Sequence, residues 1–147
     1  MIIVYTVLIL ALVALDQWVK YWVTVNIHLG TDQVLIPGIM NVTNLHNYGA
    51  AWSMLQGKQT FFSIITIVVV VGVLYCMWKF RKQRGKMLCF SLILAGAVGN
   101  FIDRISQGYV VDMFEFVPVN FPVFNVADMC LTFGVAILII IILREDE

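Results

Sequence analysis

The stretch FPVFNVADMCLTFGVAILIIIIL, residues 121–143, decides the class of the fold. From Met129 to Leu143 it contains no charged side chain, which is typical of a helix that crosses a lipid bilayer. Because a span needs roughly 20 helical residues, we expect this helix to begin earlier, near Asn125 and Asp128. A carboxylate at the edge of hydrocarbon is costly and usually functional, so Asp128 requires an explanation.

The rest of the chain has the same apolar character. Of its 147 residues, 61% are hydrophobic and 12% are charged, and the mean hydropathy of +0.93 lies outside the range of soluble domains. We therefore predict an all-α polytopic membrane protein that forms a single domain over residues 1–147. Its four transmembrane helices are expected at about residues 1–25, 60–78, 87–104 and 124–143.

The distribution of basic residues predicts the orientation of these helices. The connection between the second and third spans carries Lys79, Arg81, Lys82, Arg84 and Lys86, whereas residues 24–60 and 106–120 contain only Lys58. Because basic connections remain in the cytoplasm, we expect residues 79–86 and both termini on that side. The net charge of zero provides no basic face for nucleic acid, so nucleic acid is not an expected partner.

Two connections on the opposite, extracytoplasmic side are too long and too apolar for simple loops. In the first, VLIPGIMNVTNL (residues 34–45) places a Pro-Gly turn between β-favouring segments, which predicts a hairpin and a small β-cradle. The second, YVVDMFEFVPVNFPVF (residues 109–124), mixes valines with aromatic residues. Because aromatic side chains favour the headgroup region, we expect an interfacial segment there.

Polar and charged residues gather where the predicted helices meet the extracytoplasmic side. They are Asp16 and Lys20 in the first span, Asn100, Asp103 and Arg104 at the end of the third, Asp112 in the second outer connection, and Asn125 and Asp128 at the start of the fourth. Residues of this kind at one depth predict a single hydrated polar cluster.

Several of these residues also have a purely structural interpretation. Asp16 and Lys20 lie four residues apart and can form an ion pair on one helix face. Asn100 and Arg104 have the same spacing and can finish a helix or reach toward the headgroups. Both interpretations stay open from the sequence.

The two acids Asp112 and Asp128 suggest chemistry. Asn125 is a suitable N-cap and Asp128 a favourable acid in a first helical turn, but Asp112 has no cation near it in the sequence. If the acids lie close together, they cannot both ionise easily, and one proton is shared between them. Such a pair can activate water and hydrolyse a peptide bond without a metal.

Metal ligands and disulfides are not expected. His28 and His46 are lone loop histidines without an H-E-x-x-H motif or a third ligand. The three cysteines, Cys76, Cys89 and Cys130, have no C-x-x-C spacing. We therefore predict no metal and no cofactor, and we interpret the cysteines as small buried hydrophobic residues.

Five short motifs follow one another along the chain. They are DQWVK (16–20), NYGAAWS (47–53), GNFIDR (99–104), VVDM (110–113) and FNVAD (124–128). In this order they resemble the motifs of the type II signal peptidases, the bacterial lipoprotein signal peptidases. The resemblance covers almost the whole chain, with Trp52 and Met113 standing where the family commonly has Phe.

The resemblance implies a fold, an activity and a set of site residues. The implied fold has four transmembrane helices, an outer β-cradle and a helix lying on the membrane. Asp112 and Asp128 would form the catalytic dyad of an intramembrane aspartic endopeptidase. Supporting roles would fall to Asn47, Gly49, Asn100, Asp103, Arg104, Asn125 and Ala127, and to Asp16 and Lys20, for which bracing the site is favoured over proton transfer.

The implied substrate is a prolipoprotein that carries a diacylglyceryl group on cysteine and is cut on the N-terminal side of that cysteine. The implied partners are therefore lipidated signal peptides and membrane lipid, with no obligate protein partner. The implied location is the bacterial cytoplasmic membrane, with the active site toward its outer face.

Three other functions remain open from the sequence. A proton-coupled transporter would use Asp16 or Asp128, although transporter acids tend to lie near the bilayer midplane. A serine–lysine peptidase would use Ser53 with Lys58 or Lys20. A structural assembly factor would need none of these side chains for chemistry.

Overall fold

Four long apolar helices form the body of the protein in a computed structural model that describes residues 2–49, 57–119 and 121–145. The helices are α1 (Ile2–Asn26), α2 (Gln59–Lys79), α3 (Arg84–Gln107) and α4 (Val126–Glu145). Each is long and apolar enough to cross a membrane, as the sequence predicts. The helix on the membrane surface that the resemblance implies is not among the elements of the described residues.

The main differences from the predicted helix bounds lie at the ends of α3 and at the start of α4. Helix α3 extends to Gln107, where Gly108 adopts a left-handed conformation (φ 78°) and donates its N–H to the Arg104 carbonyl. This arrangement is a common way to end a helix. Helix α4 begins at Val126 because Asn125 occupies the capping position before it.

Helix α3 lies at the centre of the bundle. Thirteen of its residues are buried, whereas α2 has none, and α1, α2 and α4 all pack against α3. The outward faces of the three surrounding helices are apolar and exposed, which suits contact with lipid. Small residues allow the close packing, because a Cβ on Gly99 would lie 2.7 Å from the Asp16 carboxylate and one on Gly134 would lie 2.8 Å from Ile93.

The two outer connections combine into one antiparallel sheet in the order β1 (Asp32–Ile36), β2 (Met40–Asn47) and β3 (Val110–Phe116). The predicted hairpin is present as β1 and β2, with Gly38 at φ 72° in the turn. The second connection, for which an interfacial course was predicted, contributes β3. Its strand pairs with β2, so Leu45 lies opposite Asp112 and Asn47 opposite Val110.

The sheet is fixed to the bundle through the end of α1. Val23 and Ile27 of the α1 region form a buried cluster with Val111 and Met113 of β3. Since side chains alternate along a strand, burying Val111 and Met113 on this face directs Asp112 to the other face, toward the helices.

Candidate active site

Asp112 is held in β3 by two amide side chains. Its Oδ2 accepts a hydrogen bond from Asn47 Nδ2 at 2.8 Å, and its Oδ1 accepts one from Asn125 Nδ2 at 2.7 Å. Asn125 reaches the strand because Phe124, the residue before it, forms a β-bridge with Phe114. Asp112 is only 2% exposed, so its environment is set almost entirely by protein groups.

Asp128 is fixed in the first turn of α4 by a reciprocal cap. Asn125 Oδ1 accepts the Asp128 N–H at 2.9 Å, and Asp128 Oδ2 accepts the Asn125 N–H at 3.2 Å. The N-cap interpretation of Asn125 is therefore correct. Asp128 also makes a contact outside the cap, since its Oδ1 accepts a hydrogen bond from Asn100 Nδ2 at 2.7 Å.

Two asparagines connect the acids to each other. Asn125 Nδ2 donates to Asp112 Oδ1 and also to Asn100 Oδ1, at 3.1 Å, while Asn100 donates to Asp128. The two carboxyl groups thus belong to one hydrogen-bonded unit, and both line the same cavity. The proximity that sequence spacing alone could not establish is present in the fold.

The environment of Asp112 favours its neutral form. The pKa of Asp112 is raised to about 7, mainly by burial and further by the nearby charge of Asp128, while the hydrogen bonds from Asn47 and Asn125 lower it. Asp112 is therefore partly protonated near neutral pH, which is the condition that a proton donor at this position requires.

A buried ionic network lies behind the acids. Lys20 Nζ lies 2.8 Å from Asp16 Oδ2, 2.8 Å from Asp103 Oδ2 and 3.1 Å from Asn100 Oδ1. The predicted pair of Asp16 and Lys20 is present, but it is one part of a larger network. Because Asn100 also contacts Asp128, the network braces the Asp128 side of the site.

The network also holds the backbone of the two acid-bearing elements. Asp16 Oδ1 accepts the Ala127 N–H at 2.8 Å, next to Asp128, and Asp103 Oδ2 accepts the Val111 N–H at 3.2 Å, next to Asp112. Asp16 therefore helps to position Asp128, and Asp103 helps to position Asp112.

Gln17 belongs to this network and was missed by sequence reasoning. Its Nε2 lies 2.9 Å from Asp103 Oδ1, 3.2 Å from Asp16 Oδ2 and 3.2 Å from the Gly99 carbonyl oxygen. The available signal was a polar carboxamide within an apolar span, which usually requires a buried partner.

The cavity beside the acids has a volume of about 620 Å³ and mostly apolar walls. Six of the predicted site residues line it, namely Asn47, Gly49, Asn100, Arg104, Asp112 and Asp128. Its apolar walls come from α2, α4 and the segment that precedes α4, including Phe62, Ile65, Val69, Val123 and Phe133. The arrangement places a polar, acidic patch against a space that suits hydrocarbon.

Arg104 is the basic residue of the cavity wall. Its guanidinium lies 5.1 Å from the centre of the Phe62 ring, and its buried Nε has no hydrogen-bond partner among the described residues. The Arg104 side chain is thus among the groups that line the cavity. Gly49 is buried and donates its N–H to Asn47 Oδ1 at 2.9 Å, which fixes the orientation of the Asn47 amide.

The remaining predicted residues lie behind the cavity or outside the described part of the chain. Asp16, Lys20, Asp103, Asn125 and Ala127 form the supporting layer given above. Trp52 and Ser53, which belong to one motif and to the serine–lysine alternative, lie outside the described residues.

Comparison with known proteins identifies a family. The family described as signal peptidase (SPase) II matches residues 8–144. A lipoprotein signal peptidase of Lactiplantibacillus plantarum is 45% identical over 144 residues, which cover 98% of this chain and 97% of that protein. A lipoprotein signal peptidase of Streptococcus pneumoniae is 46% identical, covering 97% of this chain and 94% of that protein.

Solved structures agree with this comparison. A bacterial membrane enzyme determined by the in meso method at 2.3 Å resolution superposes with a TM-score of 0.94 at 37% identity, over 98% of this chain and 90% of that chain. A second bacterial membrane enzyme, at 1.9 Å, gives a TM-score of 0.84 at 37% identity, over 96% and 93% of the two chains. The predicted architecture of four membrane helices with a small sheet is confirmed.

Proposed function

Because the chain belongs to the signal peptidase II family, we propose that it removes signal peptides from prolipoproteins as an aspartic endopeptidase of the membrane. The observation that carries the aspartic mechanism is the hydrogen-bonded unit of Asp112 and Asp128, which faces an apolar-walled cavity among membrane helices. Arg104 and the amides of Asn47 and Asn100 line the same cavity.

In the proposed reaction, one acid is ionised and the other carries the shared proton. The ionised carboxylate takes a proton from water, and the water oxygen attacks the carbonyl carbon of the scissile bond. The protonated acid donates a hydrogen bond to the carbonyl oxygen, which stabilises the tetrahedral intermediate. When the carbon–nitrogen bond breaks, a proton passes to the leaving amine, and no covalent enzyme intermediate forms.

The proposed substrate is a prolipoprotein whose cysteine carries a diacylglyceryl group, cut on the N-terminal side of that cysteine. The support for a lipidated substrate is the composition of the cavity. Phe62, Ile65 and Val69 of α2 face it from one side and Phe133 of α4 from another. These walls suit acyl chains and an apolar signal helix, since neither then has to leave hydrocarbon.

The proposed location is the bacterial cytoplasmic membrane. The support for the orientation is the basic connection between α2 and α3, which favours the cytoplasm for residues 79–86 and for both termini. The acids lie at the opposite ends of α3 and α4 from this connection. This orientation places the active site toward the outer face.

Purified protein and a synthetic lipidated precursor test the proposal. We expect Asp112→Asn and Asp128→Asn each to lower kcat/KM by about a thousandfold or more, because the two acids act as a unit. Asp32→Asn is the matched control, since Asp32 is an exposed acid at the start of β1, and it should cleave like the wild type. An unlipidated precursor should be a poor substrate.

Retained cleavage in either folded Asn variant would contradict the aspartic mechanism. Ser53→Ala tests the serine–lysine alternative and should leave cleavage unchanged. In that alternative Lys20 would have to give up its ion pairs with Asp16 and Asp103.

A further inference from the structure

The end of the bundle opposite the candidate active site carries a concentration of positive charge. Lys79, Arg81, Lys82, Arg84 and Lys86 lie in residues 79–86, which we call the basic connection. From Arg84, helix α3 continues for 16 residues before it reaches Asn100, so about 24 Å separates this end from the acids. The basic connection therefore has no part in the proposed cleavage.

Aromatic rings hold three of these cations in place. The Lys79 and Lys86 ammonium groups lie 5.3 Å and 4.7 Å from the centre of the Phe80 ring. The Arg81 guanidinium lies 5.5 Å from the Trp78 ring, and its Nη1 donates to the Trp78 carbonyl oxygen at 2.9 Å. Cation–π contacts of this kind order the charged groups without neutralising them.

Most of this charge has no protein counter-ion in the described part of the chain. Lys86 forms an ion pair with Glu145 at 2.5 Å. Within residues 2–49, 57–119 and 121–145, Lys79, Arg81, Lys82 and Arg84 have no carboxylate within ion-pair distance. The start of α3 adds to the positive potential, because Gln83 makes no side-chain cap and the first turn contains no acid.

The basic connection also lines a cavity near one end of a membrane-spanning helix. Residues 79–83 line a cavity of about 240 Å³. The cavity lies directly beyond the end of α2, a helix apolar enough to span the membrane, and so at the level of lipid headgroups. Tyr75 and Trp78 are exposed on α2 beside it and would contact the first part of an acyl chain.

We propose that the basic connection binds the phosphate headgroup of an anionic phospholipid from the leaflet at this end of the bundle. Lys79, Arg81 and Lys82 would surround the phosphate oxygens as charged donors, and the acyl chains would lie along the apolar surface of α2. A lipid fits these observations better than a free anion, because the cavity lies at the end of α2, whose side chains there, Tyr75 and Trp78, are large, apolar and exposed.

Native mass spectrometry of the purified full chain with phosphatidylglycerol or phosphatidylcholine tests the proposal. The wild type should retain phosphatidylglycerol in preference, and Arg81→Gln with Lys82→Gln should reduce that retention by about tenfold or more. A charge-retaining variant, Arg81→Lys with Lys82→Arg, should keep it. Lys58→Gln removes one positive charge near the start of α2, at the other end of that helix, and should also keep it.

Three results would overturn the proposal. One is equal retention of phosphatidylglycerol by the wild type and the folded double Gln variant. Another is complete competition by inorganic phosphate, which would indicate a site for a free anion. The third is binding that is seen only after removal of Asp146 and Glu147, which would make the acidic end of the chain the occupant. If the double variant does not fold, the wild type is tested at high salt, which screens exposed charges. Loss of phosphatidylglycerol then supports the proposal, and unchanged retention overturns it.

Discussion

At the scale of single residues, Asn125 joins the two acids and caps α4. Its Oδ1 caps α4 at Asp128, and its Nδ2 donates to both Asp112 and Asn100. One side chain therefore fixes the start of a helix and the relative position of two acids. Replacing it would disturb both, so its neighbours give cleaner tests of the chemistry.

Asn47 is such a neighbour, and Asn47→Ala is expected to shift the pH dependence of cleavage upward. The hydrogen bond from Asn47 lowers the pKa of Asp112, which stands at about 7, so its loss raises that pKa. Asp112 then keeps its proton to higher pH, and the alkaline limb of kcat/KM moves in the same direction. A profile over roughly pH 5 to 9 with the lipidated precursor measures the shift.

Asn41→Ala is the matched control, because Asn41 lies on the same strand but donates to Glu115 at 2.9 Å, away from the acids. It should leave the alkaline limb in place. If Asn47→Ala lowered the rate at every pH without moving the limb, Asp112 would not be the group that titrates.

The sequence predicted the polar residues of the site better than it predicted their roles. The motifs identified Asp16, Lys20, Asn100 and Asp103 as a set, but the contacts that join them depend on how α1 packs against α3. Gln17 was overlooked because it lies between two motif positions of α1, and nothing local shows that its carboxamide meets Asp103 and Gly99.

At the scale of secondary structure, the close contact of α1, α3 and α4 at Gly99 sets the site. A Cβ at this position would lie 2.7 Å from Asp16 Oδ2 and 3.1 Å from the Ala127 Cβ. Gly99→Ala therefore separates the helices where Asp16 holds Ala127. We expect a loss of about 1–3 kcal/mol in stability and a lower cleavage rate, measured by thermal unfolding in detergent and by kcat/KM.

Gly72→Ala provides the comparison within α2. A Cβ there would meet nothing within 4 Å, so stability and activity should stay close to wild type. Equal losses in the two variants would contradict crowding at the site as the cause, because helix propensity favours Ala over Gly at both positions.

The elements differ in how far local sequence determines them. The four spans follow from apolar length, and the β1–β2 hairpin from its Pro-Gly turn. Strand β3 could not be recognised as the third strand, because its contacts with β2 cross a long separation, 65 residues between Asn47 and Asp112. Its valines and aromatic residues suit a strand and a segment at the membrane interface equally well. The segment forms a strand because β2 has a free edge with which it pairs.

At the scale of the whole molecule, the acids and the basic connection lie at opposite ends of the bundle. We expect a cysteine at position 32 to react from outside intact cells and one at position 82 to react only after permeabilisation. The experiment uses Asp32→Cys and Lys82→Cys in a background in which Cys76, Cys89 and Cys130 are replaced, with a membrane-impermeant maleimide. Both positions are exposed. The reverse labelling pattern would invert the proposed orientation.

The order in which the parts of the proposed site appear along the chain has a consequence for biosynthesis. Asp112 depends on a strand from the first half of the chain, and Asp128 on a cap that closes only when α4 starts to form. A nascent chain with fewer than four helices in place would lack the second acid in its working position. The proposed hydrolytic site would therefore be completed only when the last helix is inserted.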